Sequence, residues 1–214
     1  ADHHSHISRL QAALRALGPD DYLLEVLLIQ FVRLLSKGRE ISMSKRSGTY
    51  VTMRDVLKDV GRDVTRFFLI MRSSDSHLDF DLDLAKDQSS ENPVYYVEYA
   101  HARIGSIFEK AKEKNLFPSN NSLNFLDLPD EIDIAKKLLQ FPEVINESAQ
   151  ALAPHKIAFY LQELASGFHI YYNKHRIIVE DPRLSSARLF LIGCIKTVIA
   201  KGLGLLGVVA PDRM

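Results

Sequence analysis

Cysteine is almost absent: the 214 residues contain one, Cys194. A single thiol excludes an internal disulfide and fits a reducing compartment. It stands in the apolar run Leu191-Ile192-Gly193-Cys194-Ile195, the setting of a core residue rather than of a nucleophile. Net charge is absent too, since 27 Lys and Arg are matched by 27 Asp and Glu. That balance argues against a protein that binds nucleic acid over its whole surface. No run approaches the roughly 18 to 20 uncharged apolar residues of a membrane span, so a soluble, cytoplasmic protein is expected. The chain opens at Ala1 without a basic region followed by an apolar one, so no signal peptide is expected, and Ala1 reads as a cut inside a longer chain. Internal repeats and low-complexity segments are also missing.

What is present is 46% apolar residues, enough for a real core, and a length that fits two units. Charge is segregated along the chain. Residues 32–72 carry ten basic and four acidic side chains, 73–91 one basic and six acidic, and 173–214 seven basic and three acidic. Solvated helix faces and an anion-binding surface both accommodate that pattern.

The periodicity is mainly helical. Residues 8–17 space Leu10, Ala13, Leu14 and Leu17 as an amphipathic helix that Gly18-Pro19 ends. Residues 20–35 form a dense apolar run with an acidic start, which predicts a buried helix. A turn at 36–40 leads into 41–48, small, polar and basic, the composition of an exposed loop. Thr52 is placed to cap a helix over 53–60 that Gly61 stops, and a second buried helix is expected over 63–72. The alternation of Leu78, Phe80, Leu82 and Leu84 with aspartates predicts an extended connector before a capped start at Asp87 or Ser89. Helices are expected over 92–114, with Pro93 in the first turn, over 131–140 and 141–152, over 154–172, and from Asp181 or Ser185 to 202. The expected fold class is therefore mainly α, ending in a helical bundle, with a domain boundary between residues 72 and 73.

Two constellations carry chemistry. In Ser42-Met43-Ser44-Lys45-Arg46-Ser47-Gly48, small residues let the backbone fold over a polyanion, and Lys45 is a point charge on a flexible stem. Such a loop suits phosphoryl chemistry, where charge builds on a phosphate and a mobile lysine stabilises it; it is also the composition of a solvated turn. The second sets Tyr95, Tyr96, Tyr99, His101 and Arg103 on one predicted helix and Phe168, His169, Tyr171, Tyr172, Asn173 and Arg176 on another. Aromatics interleaved with Arg and Asn are what splayed RNA bases need for stacking and edge recognition. Packing in the bundle core competes for the same tyrosines. Likewise Arg33, Lys37, Arg39, Arg54, Lys58, Arg62 and Arg66 fit either an RNA-backbone track or pairing with Asp55, Asp59 and Asp63.

Residues 42–48 resemble the Lys-Met-Ser-Lys-Ser signature of class I aminoacyl-tRNA synthetases. The stretch from Met43 to Asp55, then Gly61-Arg62-Asp63, Arg72 to Leu82, Glu91 to Val97, Tyr99-Ala100-His101-Ala102-Arg103 and the end Leu205 to Met214 resemble the arginyl-tRNA synthetases. The resemblance covers nearly the whole chain, residues 115–150 least. It implies the C-terminal part of arginine–tRNA ligase: 1–72 as the end of the catalytic domain with stem-contact helices, and 73–214 as an anticodon-binding helical bundle named for an Asp-Ala-Leu-Arg motif. The nearest equivalent of that motif here is Ser186-Ala187-Arg188-Leu189.

By the same resemblance Lys45 is catalytic within an ATP-binding loop of Ser42, Met43, Ser44, Lys45 and Arg46. Ser42 stands where the signature has its first Lys and Arg46 where it has its last Ser, which leaves Lys45 as the signature lysine. Asp2 and His4 are implied remnants of the nucleotide and amino-acid pocket. Tyr96, Tyr99, Arg103, Tyr172, Asn173 and Met214 are implied to meet the anticodon, with Met214 as the natural C-terminus. ATP as substrate with Mg²⁺, arginine and tRNA-Arg are the implied ligands of the intact enzyme, a monomer that needs bound tRNA before it activates arginine. No resident metal is expected. The family's His-Ile-Gly-His motif is not in this sequence, so the chain alone is expected to be inactive. A freestanding helical RNA-binding or interaction module is the alternative; the cysteine enzyme of the same class would bring zinc-ligand cysteines that one Cys194 does not provide.

Overall fold

The computed structural model describes residues 4–18, 24–41 and 50–214. Among these, in chain order, lie helix α1 (His4–Leu17), strands β1 (Val32–Ser36) and β2 (Arg39–Glu40), helices α2 (Met53–Val60) and α3 (Arg62–Ile70), strand β3 (Leu78–Asp81), and helices α4 (Leu82–Lys86), α5 (Pro93–Glu113), α6 (Pro129–Leu139), α7 (Phe141–Gln150), α8 (His155–Lys174) and α9 (Pro182–Leu205), with a 3-10 turn at Asn120–Phe125 between α5 and α6. The chain is mainly α, as expected.

Helices start where a side chain can cap them. Thr52 and Asp55 form a capping box for α2, with Asp55 Oδ2 accepting from the Thr52 amide at 2.8 Å. Asn92 accepts from the amides of Val94 and Tyr95, and Pro93 follows in the first turn, so α5 begins there and not at Asp87 or Ser89. An unforeseen short helix, α4, fills the interval, capped by Asp81. Asp181 caps α9 in the same way, ahead of Pro182.

The buried helix expected over residues 20–35 is not what forms. Among the described residues, 24–31 have no regular element and 32–36 are β1. The run lacks a period that separates helix from buried strand, and its pairing decides the matter. Strand β1 is parallel to β3, with Leu34 opposite Phe80, and antiparallel to β2 through a turn in which Lys37 and Gly38 both have positive φ. The alternation read at 78–81 is real: Leu78 and Phe80 are buried, while Asp79 faces out and takes two hydrogen bonds from Arg33, at 2.7 and 2.9 Å.

One apolar core runs from the sheet into the bundle. Phe68 of α3 meets Phe80, Phe67 is buried in the same core, and Val97, Ala100 and Ile104 of α5 join Leu161, Leu164 and Phe168 of α8 and Ile192, Ile195 and Ile199 of α9 there. Each of these helices buries a stripe at spacings of three and four, and α9 is apolar on most faces because it lies at the centre.

A polar knot is set into this core. The Glu131 side chain is fully buried, and its Oε1 accepts from Arg188 Nε and from Tyr171 Oη, each at 2.8 Å. Arg188 also donates to the Arg176 carbonyl at 2.7 Å. The arginine of the Ser186-Ala187-Arg188-Leu189 segment thus ties α9 to α6 and to the end of α8. Removing one member of a buried pair strands the other, which costs about 3–5 kcal/mol. Glu131→Ala is therefore expected to lower unfolding free energy by that amount in urea titration, and Glu131→Gln by less, because the amide keeps an acceptor for Arg188.

Candidate nucleic-acid interface

Helix spacing places Tyr95, Tyr99 and Arg103 on one face of α5, four residues apart. The rings of Tyr95 and Tyr99 stack with centroids 6.1 Å apart, and Arg103 Nη2 donates to Tyr99 Oη at 2.6 Å. The Arg103 guanidinium lies 4.4 Å from the Tyr99 ring centroid and 5.0 Å from that of Tyr172 on α8, a cation held between two aromatic faces. His169 supports the arrangement from beneath. Its Nε2–H donates to the Tyr96 carbonyl at 3.3 Å, and its ring lies 4.6 Å from Tyr96 and 5.8 Å from Tyr99. Burial, helped by the Arg103 charge, pushes the His169 imidazole below its ordinary pKa, so the ring stays neutral beside the cation.

The chain's end closes the site. After α9, Arg66 Nε donates to the Leu206 carbonyl, Asp63 Oδ2 accepts from the Val209 amide at 2.9 Å, His101 Nδ1–H donates to the Pro211 carbonyl at 2.8 Å, and Lys196 pairs with Asp212 at 2.8 Å. Gly207 lets the segment turn: its φ is +69°, and a Cβ there would sit 2.6 Å from Arg66 Nε. Four anchors on α3, α5 and α9 thus carry Arg213 and Met214 back to α5.

These groups enclose a cavity of about 410 Å³ lined by Tyr99, Arg103, Lys110, Tyr172, Arg213 and Met214, with Ala102, Ser106 and Ile107 at its floor. The size suits a nucleobase with its sugar. Four of the six residues expected at an anticodon, Tyr99, Arg103, Tyr172 and Met214, are brought together. Tyr96 and Asn173 are not: Tyr96 is half-buried against the core, and Asn173 is exposed at the end of α8, outside the cavity lining. Lys110 and Arg213 escaped sequence reasoning. The helical series Tyr99, Arg103, Ser106 and Lys110 was a signal that could have found the first of them.

A second cavity, of about 350 Å³, adjoins the first at Met214 and is lined by Tyr95 and Glu98 of α5 with residues of α2 and α4. Burial, reinforced by Asp63, pushes the Glu98 carboxyl up to about 7.

Elsewhere the expected residues separate. Of the basic set, Arg33 is engaged by Asp79, Arg66 by Leu206, and Arg62 lies 3.5 Å from Asp63. Asp59 pairs with Lys86 and Asp55 serves the α2 cap, so neither neutralises Lys58 through an ion pair. Cys194 is half-buried on α9, and burial raises its thiol pKa, which keeps it un-ionised at neutral pH. Asp2, Ser42, Met43, Ser44, Lys45, Arg46 and the His4 side chain lie outside the described residues.

The family model described as the DALR anticodon binding domain matches residues 97–214, which hold every lining residue of the cavity at Tyr99 and Arg103. The chain belongs to that DALR family. Curated relatives with full-chain matches are named arginine–tRNA ligase: one from Syntrophotalea carbinolica is 51% identical and one from Geobacter metallireducens 52%, each aligned over 100% of this chain and 39% of its own length. The chain thus spans about two-fifths of the length of these relatives. Among solved structures, an arginyl-tRNA synthetase from Campylobacter jejuni superposes with a TM-score of 0.87 at 32% identity, covering all of this chain and 46% of the other. The Thermus thermophilus arginyl-tRNA synthetase gives 0.64 at 25% identity, over 85% of this chain and 34% of the other. Among the described residues of this DALR protein, no helix is long and apolar enough to cross a membrane.

Glu98 makes a testable demand on stability. Its folded-state pKa lies above the ordinary 4.5, so the folded protein holds a proton that the unfolded chain releases between about 4.5 and 7. Stability contributed by the neutral acid is present below 4.5 and is lost as pH rises through about 7. Solvent still reaches the group, so the loss is about 1–2 kcal/mol and not the full value of the shift. Glu98→Gln is expected to remove that slope, so that the variant gains on the parent protein between pH 5 and pH 8 in parallel denaturant titrations.

Proposed function

We propose that this chain is the tRNA-binding part of an arginine–tRNA ligase, and that the cavity at Tyr99, Arg103, Tyr172 and Met214 takes a base of the anticodon loop of tRNA-Arg. The observation that carries this reading is the convergence of two aromatic rings, a guanidinium and the chain terminus on one base-sized cavity rimmed by Lys110 and Arg213. A splayed base stacks on tyrosine, the guanidinium addresses its edge or its phosphate, and the two flanking cations neutralise the backbone. Because Arg103 is already held by both tyrosines, little side-chain freedom is lost on binding.

In the longer ligase the reaction is arginine plus ATP to arginyl-adenylate, followed by transfer to tRNA. Residues 1–72 belong to the catalytic side and 73–214 to the RNA-binding side in this reading. Lys45, in the loop of Ser42, Met43, Ser44 and Arg46, supplies charge to the phosphates of ATP, Asp2 and His4 contribute to the nucleotide and amino-acid pocket, and Mg²⁺ accompanies ATP. The loop residues, Asp2 and the His4 side chain lie outside the described residues. The chain alone, without the His-Ile-Gly-His motif, does not activate arginine. A cytoplasmic, monomeric protein accords with this role. Bound tRNA precedes arginine activation in the same reading.

Base–aromatic stacking is worth about 1–3 kcal/mol per base. Tyr99→Ala and Arg103→Ala are each expected to weaken binding of a tRNA-Arg anticodon stem-loop about 10- to 100-fold at fixed salt and to abolish discrimination against a stem-loop with altered anticodon bases. Equal affinity for both stem-loops in the parent protein would refute the reading, and would leave a general interaction module in its place.

A further inference from the structure

We infer that the second cavity, beside Met214, is a separate base pocket in which Glu98 accepts a hydrogen bond from the exocyclic amino group of a loop nucleotide. The inference rests on the anticodon-binding reading and extends it by one nucleotide and one specificity-determining residue.

The two cavities have opposite characters. The first is cationic and suits a phosphate beside a base. The second is lined by Asp59, Lys86, Asp87, Tyr95, Glu98 and Met214, and its one lysine is bonded to Asp59 at 3.0 Å. Asp63 of α3 adds a further carboxylate toward Glu98. A phosphate is repelled from such a lining, and an N–H donor is drawn to it. No donor among the described residues satisfies the Glu98 carboxyl, and no cation pairs with it. A half-buried acid without a partner, facing a cavity, is a costly arrangement for stability alone and a useful one for recognition. Tyr95 supplies the stacking surface: it lines the cavity three residues before Glu98, one helical turn away, and its ring continues the stack begun at Tyr99.

A shared lining residue links the two pockets. Glu98 and Arg103 are five residues apart, about 7.5 Å of helix rise and about 140° around the axis, so the link between the pockets for neighbouring nucleotides of one splayed strand is the lining residue they share, Met214. Met214 lines each cavity and divides them. The ionised carboxylate accepts this hydrogen bond more strongly than the neutral acid does. Asp59, Asp63, Asp87, Lys86 and Tyr95 are the titratable groups that face it.

The test is a double-mutant cycle with the whole chain and a tRNA-Arg anticodon stem-loop. Each amino-bearing loop base is replaced singly by its amino-lacking counterpart: guanine by inosine, cytosine by 2-pyrimidinone, adenine by purine. At one position the deletion is expected to weaken the parent protein about 10-fold and Glu98→Met less than 2-fold. Parent affinity at that position is also expected to rise between pH 6 and pH 8, and that of Glu98→Gln to stay flat. If binding depends on Arg103 but no position couples to residue 98, the inference is overturned and the anticodon-binding reading stands. If the parent protein binds the stem-loop without dependence on Arg103, both fall.

Discussion

The return of the chain end to α5 is the constraint on which the candidate interface depends. Tyr99, Arg103 and Tyr172 would form an open cation–aromatic stack on the bundle surface; Arg213 and Met214 turn that stack into a cavity. They arrive there because Arg66, Asp63, His101 and Lys196 each hold one backbone or side-chain group of residues 206–212. Two of those anchors belong to α3, the helix that follows the capped α2. The interface is therefore built by both sides of the expected boundary between residues 72 and 73, and the α3 core residues Phe67 and Phe68 pack into the same hydrophobic interior as the bundle.

Burial and charge divide the labour within that frame. The buried Glu131–Arg188–Tyr171 knot sits immediately before Tyr172, and it fixes the rotation of the end of α8 so that Tyr172 faces Arg103. His169, kept neutral by burial, packs under the cation without opposing it. Along α5, neighbouring faces carry first an acidic cavity and then a cationic one, which gives a strand laid across them a direction as well as a site.

Much of this was legible in the residues. Thr52 with Asp55 and Asn92 with Pro93 are local signals, complete within four residues, and the helices they start follow wherever the rest of the chain goes. Residues 32–36 were not legible in that way: an apolar run without a period becomes a strand only because Leu78 and Phe80, more than forty positions on, offer it a ladder. At the site, the resemblance carried Tyr99, Arg103, Tyr172 and Met214, and the structure adds three more residues, the first of them within reach of helical pattern. Lys110 joins through helix geometry, Arg213 through the anchored terminus, and Glu98 through being left without a partner. Tyr96 shows the opposite limit, since a tyrosine three residues from Tyr99 points into the core side of the same helix and packs on His169.

The central claim is that RNA enters at the cavity closed by Met214. The most direct measurement is methyl NMR of the methionine-labelled chain, with the four methionines assigned by substitution, during titration with a tRNA-Arg anticodon stem-loop. The account predicts that the Met214 methyl shifts strongly, under the ring currents of the bound base, while Met53 and Met71 stay in place. Shifts confined to Met53, with Met214 unmoved, would place the RNA on the basic face around α2 and contradict it.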